Sequence, residues 1–241
     1  APGRTIMVTG SGAHSMQQQT GGWTLNWQGT GNANEEFLTG QTIYEGIAEA
    51  VREAGGTALL SESGDVVGRP DVAIVVFGEQ PYAEYRGDRS DLVYEFADGS
   101  DLALIRRLKA QGVPVVSVFL TGRPLWVNPH LNASDAFVVA WLPGTEAGGI
   151  ADVLIADAEG RPRHDFRGRL SFSWPADGRG RPINASADPG VLFAYGHGAS
   201  YSEPPLWRPL SEDPGVARPS FAGRMLERGD AFAPFRLFVG D

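Results

Sequence analysis

Two carboxylates, Glu79 and Glu84, stand five residues apart in VVFGEQPYAEYRGD (75–88), with Pro81, Tyr82 and Tyr85 around them. The stretch leaves an apolar run and turns at once into polar, aromatic and charged side chains. Aromatic walls exclude water from a carboxyl group, which disfavours its charged form and raises its pKa toward a working pH. A general acid needs that shift. The residue types alone leave open which glutamate would do such work, and Glu84 can equally be a loop carboxylate paired with Arg86.

A second group of residues lies in QQQTGGWTLNWQGTG (17–31), where Trp23 and Trp27 are four apart and glycines flank them on both sides. That spacing suits core packing on a helix, but the Gly, Gln, Thr and Asn around it disfavour a long helix. Tryptophan in a polar, glycine-rich loop also suits a sugar site, where the apolar face of a pyranose stacks on indole and amides bond the hydroxyls. Both readings stay open on these residues. TGSGAHS (9–15) lacks the third glycine of a dinucleotide fingerprint and the acidic residue expected after a second strand, so it reads as a tight turn. The four histidines (14, 130, 164, 197) are scattered, there is no cysteine and no Gly-x-Ser-x-Gly elbow. No metal site, cofactor or serine nucleophile is therefore predicted.

These residues need a frame. Apolar runs rich in β-branched residues occur in TIMVTGSG (5–12), DVAIVVFGE (71–79), VPVVSVFLTGRP (113–124) and AFVVAWLPG (136–144). Their continuous apolarity predicts strands buried on both faces, as in a parallel sheet. Helical patterns lie between them. In TIYEGIAEAVREAGG, Ile43, Ile47, Ala50, Val51 and Ala54 share a face and Gly55–Gly56 end it. In SDLALIRRLKAQG, Ser100 is the expected cap, Leu104, Ile105 and Leu108 face inward, and Gly112 ends it. TEAGGIADVLIAD (145–157) reads as a third helix. The fold class is α/β: a mostly parallel open sheet with helices on both faces, an α/β sandwich with a C-terminal extension. Ligands of such sheets sit outside the carboxyl ends of the strands, where residues 79–88 begin.

The chain of 241 residues is 42% hydrophobic and carries a net charge of −9, which argues against nucleic acid or an anionic membrane as the main partner. No apolar run reaches the length of a membrane span. APGRTIMVTG does not read as a signal peptide, so for an exported protein the signal is expected to have been removed or to lie upstream. After about residue 200 the sequence becomes proline-rich, and residues 203–241 are expected to form a linker or packed-down arm ending in a strand, APFRLFVGD, that leads to or packs with a further domain.

Six motifs, in order, carry a resemblance: GGWTLNWQG (21–29), VVFGEQPYAEYRGD (75–88), SVFLTGRPLWVNP (117–129), AWLPGTEAGGIADVLIAD (140–157), GRLSFSWP (168–175) and FAYGHGASY (193–201). Together, over about residues 1–202, they resemble the α/β-sandwich domain of glycoside hydrolase family 3, and in detail its exo-1,3/1,4-β-glucan glucohydrolase and β-glucosidase branch. The resemblance implies a retaining, exo-acting hydrolase of β-glucan oligosaccharides or glucosides, secreted or periplasmic. Its active site would lie between this domain and an N-terminal TIM-like barrel that supplies an aspartate nucleophile in a Ser-Asp-Trp context, which this sequence lacks. The glutamate ending Pro-Tyr-x-Glu, Glu84, matches the family's acid/base, and Trp27 its sugar-clamping tryptophan. Trp23, Tyr82 and Arg86 are the further substrate-binding candidates. Tyr82 and Tyr85 are expected to wall Glu84, Trp23 to pack beneath its loop, and Glu79 to be fixed at its strand end by backbone amides and packing. A non-catalytic carbohydrate-binding or scaffolding domain of the same fold is the alternative, and a flavodoxin-like nucleotide binder is disfavoured by the incomplete glycine fingerprint.

Overall fold

The first apolar run forms strand β1 (Thr5–Thr9), and the short helix α1 (Met16–Thr20) follows, capped by Ser15. A polar loop leads to α2 (Ile43–Glu53), where Thr42 and Glu45 close a capping box. Ile43, Ile47, Ala50, Val51 and Ala54 are buried, as their spacing predicts. Strand β2 (Thr57–Ser61) comes next, where the apolar pattern predicts none. TALLS is a partly buried edge strand without a β-branched run, so it carries little of the signal that marks its neighbours. The chain continues through β3 (Val72–Gly78), α3 (Ser100–Ala110), β4 (Val115–Leu120), α4 (Asn128–Ala133), β5 (Ala136–Trp141) and α5 (Gly148–Leu154). A small antiparallel pair, β6 (Trp174–Pro175) and β7 (Val191–Phe193), closes the succession. The computed structural model describes residues 2–65, 68–96, 98–183, 188–205 and 208–217. The strand expected at 233–241 lies outside them.

The five main strands are parallel, in the order β2-β1-β3-β4-β5. Alternate residues of each inner strand enter different cores. Ile6, Val8, Ile74, Val76, Val118 and Leu120 pack with α2 and α5 on one face. Met7, Ala73, Val75, Phe77, Val115 and Phe119 pack on the other with Ile105 and Leu108 of α3, Leu131 of α4 and Trp174. This two-sided burial is why the runs read as continuously apolar.

Two local expectations are corrected. Ser100 is the first residue of α3, not its cap, and Gly99 before it offers no side chain. The Glu95 carboxylate takes that place, accepting the N–H groups of Asp101 and Leu102, each at 3.1 Å. The third helix is shorter than 145–157, because residues up to Ala147 form turns before α5. In the extension, Leu210 exchanges two hydrogen bonds with the Asn132 side chain, and the Gly178 N–H donates to Pro214. Residues 208–217 thus lie against the sandwich.

Candidate functional site

The strand order reverses between β1 and β3. From β1 the chain crosses one face through α2 to β2, and from β3 it crosses the other through α3 to β4. The connections diverge there, and the carboxyl ends of strands at such a point are where open sheets bind ligands. The loop after β1 carries Trp23 and Trp27, and the loop after β3 carries Glu79 through Arg86. Adjacent strands therefore bring together two motifs distant in sequence.

The loops touch closely. A Cβ on Gly22 would stand 1.9 Å from the Tyr82 carbonyl oxygen, so only glycine allows this approach. The Trp27 indole N–H donates to Glu84 Oε2 at 2.5 Å across 57 positions of sequence. Gln28 donates from Nε2 to the Glu84 carbonyl at 3.1 Å and accepts the Ala83 N–H at 2.9 Å. Trp27 meets Tyr85 edge-on at 6.0 Å between ring centres and Trp23 at a tilt at 6.4 Å. The tryptophan loop is not helical: the Trp23 N–H donates to the Trp27 carbonyl, and Asn26 and Asn32 tie its backbone from within.

Four non-glycine residues among those described have positive φ, and three of them lie here: Trp23 at 58°, Leu25 at 59° and Tyr85 at 69°. Such conformations persist when their surroundings over-determine them, and they cluster at binding sites. All three side chains are exposed, and with Trp27 they form an apolar rim. Trp23, expected beneath the loop, is 70% exposed against 45% for Trp27. The left-handed backbone at Trp23 belongs to a turn tied by the Asn26 and Asn32 side chains, and its indole stands in solvent against Trp27.

Glu79 faces away from this rim. Its Oε1 pairs with Arg123 at 3.0 Å from Nε and 2.9 Å from the terminal nitrogen. Its Oε2 accepts from Thr121 Oγ1 at 2.8 Å and from the Tyr82 hydroxyl at 3.1 Å. Side chains hold it, therefore, where backbone amides were expected; the Glu79 N–H goes to Leu120 of the neighbouring strand. The Arg123 guanidinium also lies 4.3 Å from the centre of the Tyr82 ring and donates to the Gly87 carbonyl at 2.6 Å. Burial, then the Glu79 charge, push the Tyr82 phenol up to about 12.

Of the candidates, the structure brings together Glu84, Trp27 and Trp23. Tyr82 lies beside them with its hydroxyl turned to Glu79. Arg86 is exposed, and no ion pair joins it to Glu84 among the described residues. The Glu84 carboxyl lies below the usual carboxylate range, first because the Trp27 indole donates to it and then because its own backbone N–H does. This is opposite to the rise that an aromatic wall would cause. The expected wall does not close here, since Tyr82 serves Glu79 and Tyr85 is 76% exposed. Arg123, Thr121 and Gln28 join the site without being among the residues the sequence points to. The available signals were the polar residues TGRP at the carboxyl end of β4 and the glutamine beside Trp27.

Among the described residues no group of three or more acidic or histidine side chains could hold a metal ion, and no helix is long and apolar enough to cross a membrane.

Comparison with known proteins bears on this arrangement. The model of the glycosyl hydrolase family 3 C-terminal domain matches residues 1–201. In structure, the chain is similar to an exo-1,3/1,4-beta-glucanase from a Pseudoalteromonas species, with a TM-score of 0.84 and 49% identity over 87% of this chain and 26% of that one. In sequence it is 31% identical over 223 residues to the lysosomal beta glucosidase of Dictyostelium discoideum, covering 83% of this chain and 26% of that protein. It is 30% identical over 169 residues to the periplasmic beta-glucosidase of Salmonella typhimurium, covering 60% and 21%. The chain thus spans about a quarter of the length of these relatives.

Proposed function

Because this chain belongs to glycoside hydrolase family 3, as its C-terminal domain, we propose that it supplies the general acid/base and a sugar-stacking surface to a retaining, exo-acting β-glucosidase or β-glucan glucohydrolase. Glu84 is the acid/base and Trp27 the principal stacking platform, with Trp23, Tyr82 and Arg86 beside them. The nucleophilic carboxylate comes from a barrel domain elsewhere in the whole protein. The names of the relatives, one periplasmic and one lysosomal, fit work outside the cytosol. The observation that carries the reading is the indole-to-carboxylate bond: a catalytic carboxyl and a sugar platform from different strands meet on one exposed rim.

The chemistry follows from a carboxyl on an exposed rim that a second domain's pocket would meet. In a retaining pair the carboxyls stand about 5–5.5 Å apart. As the nucleophile attacks the anomeric carbon, Glu84 gives its proton to the departing glycosidic oxygen. It then takes a proton from the water that releases the glycosyl intermediate. An acid must be protonated at working pH, whereas Trp27 favours the ionised form. The approach of an anionic nucleophile and the exclusion of water by a bound sugar both raise the pKa, against the pull of Trp27. Trp27 would thereby set how far the proton can be held.

The test is Glu84→Ala in the whole protein. Hydrolysis of cellobiose or laminaribiose should fall by roughly 10²–10⁴-fold. A dinitrophenyl glucoside, whose leaving group needs no proton, should still form the glycosyl-enzyme, and azide should restore turnover with a β-glucosyl azide product. Equal loss on both substrates without azide rescue would remove Glu84 from the role. Residues 1–241 alone should not turn over an aryl β-glucoside, for want of the nucleophile.

A further inference from the structure

Glu84 sits immediately before a strained turn. Its carbonyl accepts the Arg86 N–H at 2.9 Å, a bond that spans three residues, and the central residue, Tyr85, has φ of 69°. A three-residue turn of that hand is rare and unfavourable for a residue with a side chain, so other contacts must hold it. The Gln28 side chain supplies them. One planar amide accepts the Ala83 N–H at 2.9 Å and donates to the Glu84 carbonyl at 3.1 Å. It thus fixes the backbone on both sides of the Glu84 Cα. The neighbouring residue in the chain, Trp27, holds the carboxylate.

Resting on the reading of Glu84 as the acid/base, we infer that Gln28 is a positioning residue that aims Glu84 by clamping its backbone. No shorter or singly functional side chain can replace it. Asparagine lacks one methylene of reach, and glutamate keeps the acceptor for Ala83 but loses the donor to the Glu84 carbonyl. Gln28 touches no reacting atom, so its removal should impair proton transfer to the leaving oxygen and leave attack on the anomeric carbon nearly intact.

The experiment uses the whole protein with Gln28→Ala, Gln28→Glu and Glu84→Ala, each alone, and Gln28→Ala combined with Glu84→Ala. The reading is kcat/KM on phenyl and 2,4-dinitrophenyl β-glucosides, because this ratio reports glycosylation. Both Gln28 variants should lose about 10- to 100-fold on the phenyl glucoside and change the dinitrophenyl value less than about threefold. In the Glu84→Ala background, Gln28→Ala should cost nothing further on either substrate. Equal losses on both substrates in both Gln28 variants, or an additive loss in the double variant, would overturn the positioning role. If Glu84→Ala alone shows no leaving-group dependence and no azide rescue, the reading of Glu84 fails, and the positioning role with it. If Glu84→Ala behaves as an acid/base variant and the Gln28 variants lose equally on both substrates, only the positioning role fails.

Discussion

Arg123 joins both ends of the loop that carries Glu84: two of its nitrogens hold Glu79 at 3.0 and 2.9 Å, and another holds the Gly87 carbonyl at 2.6 Å. The pair is largely shielded from water, with side-chain exposures of 22% for Arg123 and 9% for Glu79. Removing either partner leaves a charge in a site that hydrates it poorly. Glu79→Ala should therefore destabilise the protein by roughly 3 kcal/mol, read from urea unfolding. Any residual enzyme should show no azide rescue, in contrast to Glu84→Ala. Azide rescue of Glu79→Ala and not of Glu84→Ala would exchange the two roles.

Trp27→Phe keeps an aromatic face and removes the indole donor. The Trp27 hydrogen bond is the first cause of the lowered Glu84 pKa, so its loss must raise that pKa. The sign in the whole enzyme follows: activity needs protonated Glu84 and falls as pH rises through its pKa. The basic limb of kcat/KM against pH should then move to higher pH in the variant. Carboxyl-carbon NMR of residues 1–241 should show the same upward movement without substrate. A limb that moves down, or does not move, would detach Trp27 from the proton.

The two tryptophans should separate in kinetics. Trp27→Ala removes both a stacking face and a partner of Glu84, so KM for cello- or laminari-oligosaccharides should rise about tenfold and kcat should fall as well. Among the described residues the Trp23 side chain has no hydrogen bond to Glu84, and the ring it meets is Trp27. Trp23→Ala should therefore raise KM modestly and spare kcat. An unchanged KM in Trp27→Ala would dismiss it as the principal platform.

Gly22→Ala tests the contact between the loops. The new methyl would strike a backbone carbonyl, which cannot rotate away as a side chain does. The loops must part, at a cost of about 1–3 kcal/mol, and the Trp27–Glu84 bond must lengthen. A crystal structure of the variant with that bond intact, and unfolding unchanged, would refute the steric account.

How much of this was legible in the sequence differs by element. The inner strands were, because Val72–Gly78 and Val115–Leu120 face cores on both sides and read as unbroken apolar runs. Ile43, Ile47, Ala50 and Val51 were, because a helix repeats its buried face every three to four residues. β2 was not, since an edge strand carries only part of that burial. Glu95 as the cap of α3 was not, because it reaches the helix across a loop and not from the capping position. Trp27 and Glu84 could each be named from a family motif. Their hydrogen bond could not, because it depends on β1 lying beside β3, a fact of strand order that neither motif contains. Gln28 escaped because what it holds is backbone in another loop, and backbone has no sequence signature. Arg123 escaped because its partners, the Glu79 carboxylate and the Gly87 carbonyl, follow a different strand.

The bare Gly22 resting on the Tyr82 carbonyl has a consequence for protein engineering. Residues 21–29 and 79–88 fit one another as a matched set, like a key cut for one lock. A chimera that imports only the stretch bearing the acid from another member of the family would pair it with a foreign tryptophan turn, without assurance of the backbone contact or of the grip from Gln28. Transplants made with both stretches together should inherit the donor's pH behaviour, whereas single transplants should lose activity even where every imported residue is one the recipient family uses.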